Sequence, residues 1–146
     1  MKKSIVLFAI GFVLCICSVN ANHRVIQSSQ LPEAAQKFLN SHFAHEKVML
    51  AKTDYKVFFK EYDVKFASGN KIEFDKEGNW TEINCKMSHV PTAAVPEKIA
   101  AYVKSNYPAN VKIVSIEKER KGYEVKLSNK WELKFNHQFE LTDIDD

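Results

Sequence analysis

The sequence predicts an α+β fold of two tandem repeats, each one helix followed by about four antiparallel strands, that share a sheet or pack closely, with one apolar sheet face to hold the helix. Three observations predict it. First, the chain contains the same stretch twice: Tyr62, Val64, Lys65, Phe74, Thr81 and Ile83 return as Tyr123, Val125, Lys126, Phe135, Thr142 and Ile144 at a constant spacing of 61 residues. An upstream block does likewise at a spacing of 64, with Leu31, Pro32, Glu33, Phe38, Leu39, Ser41 and Phe43 answered by Val95, Pro96, Glu97, Tyr102, Val103, Ser105 and Tyr107. Three residues are therefore lost between the two blocks. Second, in both copies the apolar period changes from helical to two. Third, 146 residues can bury a core, whereas a single repeat of about sixty would be marginal. The copies are thus expected to pack as one unit.

The chain begins outside that unit. Lys2 and Lys3, the apolar run Ile5 to Ile16 and the small-residue pattern Val19-Asn20-Ala21 define a signal peptide over 1–21. The run is too short for a retained membrane span. Residues 22–30 form a polar lead-in with a strand at Arg24 to Ile26. The first repeat occupies 31–84. Pro32 stands at a helix start, where its missing amide costs nothing, and Glu33 favours the first-turn dipole. Ala35, Phe38, Leu39 and Phe43 then recur at helical spacing. An apolar run over Lys47 to Lys52 and a strand over Lys56 to Phe66 follow, the latter ending in alternation: Tyr62, Val64 and Phe66 on one face, Glu61, Asp63 and Lys65 on the other. Turns at Ser68-Gly69-Asn70 and Asp75 to Asn79 bound the strand carrying Ile72 and Phe74, and Asn79 to Asn84 is the last strand.

Residues 85–94, with Pro91, form the linker, and the second repeat occupies 95–146. Its helix starts at Pro96 and ends before Pro108; its strands are Val111 to Glu117, Gly122 to Leu127, Trp131 to Phe135 and Phe139 to Ile144. The outward positions of both copies alternate in charge: Asp63, Lys65, Lys71, Glu73, Glu124, Lys126, Glu132 and Lys134. Such a face is a lattice of cross-strand ion pairs that keeps a sheet in solution.

Loss of Lys2 and Lys3 leaves 19 basic against 18 acidic residues, so the positive charge of the whole chain is no nucleic-acid footprint. It also removes Cys15 and Cys17, leaving Cys85 without an internal disulfide partner in an oxidising compartment. No hydrolase, metalloprotease or phosphate-loop motif occurs in a chain with four glycines. His42 and His45 are three apart but lack a third ligand. No catalytic, cofactor or metal residue is assigned.

The Leu31-Pro32 helix start, the Tyr62 to Phe66 strand, the Asp75 to Gly78 turn and Trp80 resemble the PepSY-like family of secreted bacterial proteins, which is also similar to the β-lactamase inhibitory protein. The resemblance covers essentially the whole mature chain. It implies two helix-plus-four-strand repeats side by side, helices on the convex side, and recognition through the concave sheet and loops. The function expected is a non-catalytic periplasmic or secreted protein-binding module, inhibitor-like or envelope-associated. The partner expected is a protein, with no nucleic acid and no integral membrane segment after cleavage. The candidate contacts are Trp131, Trp80 and Phe139, on which the copies disagree, with Phe58 and Phe59, whose adjacency on a strand puts one of the two on the outer side. The alternative is a small-ligand carrier with an apolar pocket lined by Tyr102, Tyr107, Tyr123 or Trp131.

Overall fold

The computed structural model describes residues 23–55 and 59–146; the expected signal peptide lies outside the described residues, as does Phe58. Among the described residues, nine strands form one antiparallel sheet whose spatial order is the chain order. The elements are β1 (His23–Ile26), α1 (Glu33–His42), β2 (Val48–Tyr55), β3 (Lys60–Phe66), β4 (Lys71–Phe74), β5 (Trp80–Asn84), α2 (Glu97–Asn106), β6 (Ile113–Glu119), β7 (Gly122–Leu127), β8 (Glu132–Phe135) and β9 (Leu141–Asp145). The lead-in strand adds to the first repeat's edge, Ile26 facing Ala51. The repeats join edge to edge through β5 and β6, where Ile83 faces Ile116.

Both helices bury the residues that their period selects: Ala35 and Leu39 from α1, Ile99 and Val103 from α2. Pro32 and Pro96 stand one position before the first helical residue, and a single 3-10 turn precedes each helix. The helices pack on the face carrying Val64, Phe66, Ile72, Phe74, Ile83, Ile116, Val125, Leu127, Leu133 and Phe135, each at most 2% exposed. One contact recurs in both halves. Phe38 meets Phe74 edge-on with centroids 6.0 Å apart, and the equivalent Tyr102 meets Phe135 edge-on at 5.5 Å. An edge-to-face ring pair holds the same helix to the same strand twice.

The backbone repeats as well. Gly69 and Gly78 have φ of 92° and 90°, and the positions 61 residues later, Lys130 and Phe139, have φ of 75° and 64°. At Gly78 the absence of a side chain is also required, because an added Cβ would lie 2.7 Å from the Pro32 Cβ and 2.8 Å from the Ala35 nitrogen. Phe139 therefore lies in the turn before β9, not on a strand, and its ring packs 5.2 Å from that of Tyr123.

The three-residue difference between copies is the net of two changes. The loop from α2 to β6, residues 107–112, is one residue longer than the loop from α1 to β2, residues 43–47. The β6–β7 hairpin is four residues shorter than its counterpart: Glu119 pairs with Gly122 where Asp54 pairs with Glu61. In the first-repeat hairpin β2 ends at Tyr55 and β3 is described from Lys60; residues 56–58 of the strand expected from Lys56 lie outside the described residues.

Candidate functional site

The face opposite the helices is uncovered by any other described element. Register places every residue of the predicted outer face there, in two rows crossing the strands. One row runs Lys52, Asp63, Glu73, Glu82, Glu117, Glu124, Lys134, Asp143; the other carries Lys65, Lys71, Asn84, Ser115, Lys126, Glu132 and Asp145. Toward the two edges the rows are neutralised. Lys52 lies 2.9 Å from Asp63 and 3.2 Å from Asp54. Lys126 lies 3.1 Å from Glu124 and 3.3 Å from Glu132, and Lys134 3.2 Å from Asp145. These side chains shield one another: those of Asp63 and Glu124 are only 10% and 14% exposed.

The centre differs. Glu73, Glu82, Glu117 and Glu124 face one another on four successive strands. Lys71 pairs with Glu73, and the Asn84 amide donates to Glu82 at 3.0 Å. Burial works to lower the Lys71 pKa, but Glu73, with Asp63 and Glu82 behind it, raises it overall. Among the described residues Glu117 has no ion pair. Although the residue is exposed, partial burial of its carboxyl raises its pKa, and Glu82, Glu124, Glu119 and Glu73 add to the rise. The repeat explains the defect. Glu117 occupies the place of Lys52, because both face the equivalent residues Glu124 and Asp63. A cation in the first copy is an anion in the second, at the seam between the copies.

The aromatic candidates lie elsewhere and do not form one patch. Trp80 and Phe139 flank Tyr123, with centroids 6.4 Å and 5.2 Å from its ring, on the helix side at one end of the sheet. The Lys118 ammonium caps Trp80 at 4.1 Å, a cation–π contact that covers its face. Burial lowers the Lys118 pKa, and Asp75 opposes the change. Phe59, 51% exposed, and Tyr55, 50% exposed, belong to the long β2–β3 hairpin at that same end. Trp131, 38% exposed, stands at the β7–β8 turn at the opposite end, and alternation with Leu133 and Phe135 puts it on the helix side. Its counterpart Asn70 is buried and hydrogen-bonded to Glu46 at 2.7 Å and Ser88 at 3.1 Å. Cys85 is fully buried, its thiol pushed up to about 11 chiefly by burial.

A groove of about 590 Å³ lies between α2 and the segments flanking it. Of the aromatics expected around a pocket, it includes Tyr107; Tyr102 instead packs on Phe135 and Tyr123 belongs to the Trp80 cluster. Among the described residues, no group of three or more His, Cys, Asp or Glu is placed to hold a metal ion.

An open sheet carrying one helix per repeat, with a charged uncovered face, is the arrangement that the family resemblance implies. The chain belongs to the PepSY-like family described as "Putative beta-lactamase-inhibitor-like, PepSY-like", whose model matches residues 60–143. Among solved structures it is similar to a "putative periplasmic protein" of Bacteroides vulgatus, at 50% identity and TM-score 0.83, covering 87% of this chain and 99% of that one. It is similar also to a "putative calcium-regulated periplasmic protein" of Bacteroides thetaiotaomicron, at 49% identity and TM-score 0.82, covering 86% and 98%. A second Bacteroides vulgatus periplasmic protein, of unknown function, shares 37% identity at TM-score 0.77, covering 85% and 99%. No curated protein matches the chain. These relatives are periplasmic proteins, and the chain is a periplasmic or secreted protein. No helix among the described residues is long and apolar enough to cross a membrane, and no catalytic family is indicated.

Proposed function

We propose that the protein is a non-catalytic periplasmic binding module that holds a protein partner against its open sheet face and hairpin loops. The observation that carries this reading is the seam Glu73–Glu82–Glu117–Glu124. Like charges directly opposite on neighbouring strands cost stability, and this row lies at the middle of a face left uncovered by the described elements of the chain. A partner that presents Lys or Arg there would neutralise the row and gain long-range electrostatic steering. The close burial of the core residues beneath the sheet supports the surface, rather than an enclosed interior, as the place for recognition. Phe59, in the β2–β3 hairpin, extends the proposed surface as a loop contact, whereas Trp131, on the helix side of the β7–β8 turn, is a separate loop candidate outside the charged face. One relative is described as calcium-regulated; the described residues offer no metal-holding cluster, and calcium has no part in this reading.

The test compares mature wild type with Glu82→Lys/Glu117→Lys, both immobilised and exposed to periplasmic extract at low and at raised salt. A specific partner retained by wild type, weakened by salt and lost in the double variant is expected. Equal retention by both proteins, or none by wild type, ends the reading. Trp131→Ala and Phe59→Ala, run in parallel, report whether the loops take part.

A further inference from the structure

We propose that the groove beside α2 binds a small aliphatic carboxylate. Its volume of about 590 Å³ falls in the range of roughly 300–1,000 Å³ typical of small-molecule sites, and its walls are mostly apolar as such sites are. Val95, Ala100, Val103, Tyr107 and Val111 supply that surface. Lys104, in the last turn of α2, and Lys112, just before β6, also border it. Neither ammonium has an acidic partner among the described residues, whereas six other lysines do. The groove's carboxylate, Glu97, lies in the first turn of α2, about 10 Å along the helix axis from Lys104. Apolar walls bordered by two cations without an acidic partner among the described residues match a molecule with an apolar chain and a single anionic head, held by charge-assisted hydrogen bonds.

The first repeat shows that the groove is not a necessary product of the fold. Its equivalent space is about 260 Å³, bordered by Gln36, Leu39, Asn40 and Phe43 where the second has Ala100, Val103, Lys104 and Tyr107. Gln36 spans it, donating to the Leu31 carbonyl at 2.8 Å and to the Ser29 carbonyl at 3.1 Å, and Phe43 stacks on Phe66 at 5.5 Å. In the second repeat Ala100 replaces the glutamine, Leu127 replaces Phe66, and Lys104 replaces a neutral side chain. The copies share a backbone, and in one of them the space has been emptied and made cationic. This inference is independent of the open-face reading, since the groove lies on the helix side.

Octanoate is the probe, titrated calorimetrically below its micellar concentration into the mature chain, with 1-octanol and octylammonium as comparisons and amide chemical shifts to place the site. Saturable one-to-one binding of octanoate is expected, with shifts confined to α2 and residues 107–113. Lys104→Ala/Lys112→Ala should weaken octanoate about ten-fold while leaving 1-octanol unchanged. Ala100→Gln, which restores the first repeat's residue, should abolish binding of both. All three proteins must show the same far-ultraviolet circular dichroism and melting behaviour. Non-saturable uptake, shifts outside the groove, octylammonium binding as tightly as octanoate, or a double-lysine variant with unchanged affinity would each overturn the proposal.

Discussion

Replacing Glu117 should make the protein more stable, an unusual expectation for a residue inside a sheet. Its carboxylate stands directly opposite Glu82 on one side and Glu124 on the other. Each like-charge cross-strand pair costs roughly 0.2–1 kcal/mol, and for an exposed residue the lower half of that range applies. Glu117→Gln removes two such pairs, a gain of about 0.5–1 kcal/mol; Glu117→Lys also creates two favourable pairs, for about 1–2 kcal/mol. In urea, with a slope of about 1.5 kcal/mol/M, the glutamine variant's midpoint should rise by about 0.3–0.7 M with an unchanged slope. Salt and pH separate this mechanism from a packing effect. The gain should shrink as ionic strength rises, because exposed charges are screened. The pKa of Glu117 is raised in the folded protein, so between its unfolded and folded values the native state binds more protons, and stability falls as pH rises. The penalty is complete above the folded pKa and disappears in acid. The Gln advantage should therefore be greatest near neutral pH and vanish below the unfolded carboxylate range. A variant no more stable than wild type at neutral pH and low salt, or a gain indifferent to both pH and salt, would refute the account.

Other perturbations probe the scaffold. Gly122→Ala should destabilise more than Gly78→Ala, because its Cβ would fall 1.9 Å from the Phe135 carbonyl oxygen against 2.7 Å from Pro32 Cβ at Gly78; about 1–3 kcal/mol is expected for Gly78→Ala from positive-φ strain and contact, read by thermal melting. Lys52→Ala strips the largely buried Asp63 of its cation at 2.9 Å and should cost about 1–2 kcal/mol, whereas Lys37→Ala, whose pair with Glu33 is 74% and 81% exposed, should cost under about 0.5 kcal/mol in the same urea titration. The Cys85 thiol, buried and with its pKa near 11, should react with a disulfide reagent at pH 8 only as fast as the protein opens; prompt stoichiometric labelling of the native state would contradict that burial.

The repeat, the helix starts and the two faces of the sheet were legible because spacing alone determines them: Tyr62, Val64 and Phe66 alternate with charged residues, and proline precedes each helix. The acidic seam was not legible as a whole. Glu73 and Glu124 were assigned to the outer face, but Glu82 and Glu117 were not, since their opposition depends on how β5 meets β6 across the linker, a pairing invisible to local alternation. Bulges at Glu73/Phe74 and Ile113/Ser115 shift the register beside them. The flanking of Ile83 by Glu82 and Asn84 was the signal that could have found the first of these carboxylates. Tryptophans misled for a related reason. Lack of a repeat counterpart marks a residue as specific to one copy, yet Trp80 fills an intramolecular cluster under Lys118, and Trp131 is on the side away from the charged face. The groove was hidden because it arises from a deletion of volume, Ala100 for Gln36, which no pattern of apolar residues announces.

The chain-order arrangement of the nine strands bears on how the molecule assembles. Every ladder joins strands adjacent in sequence, and among the described residues the longest excursions are those through α1 and α2. A sheet of this kind asks for little loop-closure entropy before its contacts form, so relative contact order is low for a protein so rich in strands. Each hairpin can zip onto the one before it, as the chain emerges from export, with the helix docking on strands already paired. Refolding faster than that of a β-sandwich of the same length is the kinetic signature of such an order.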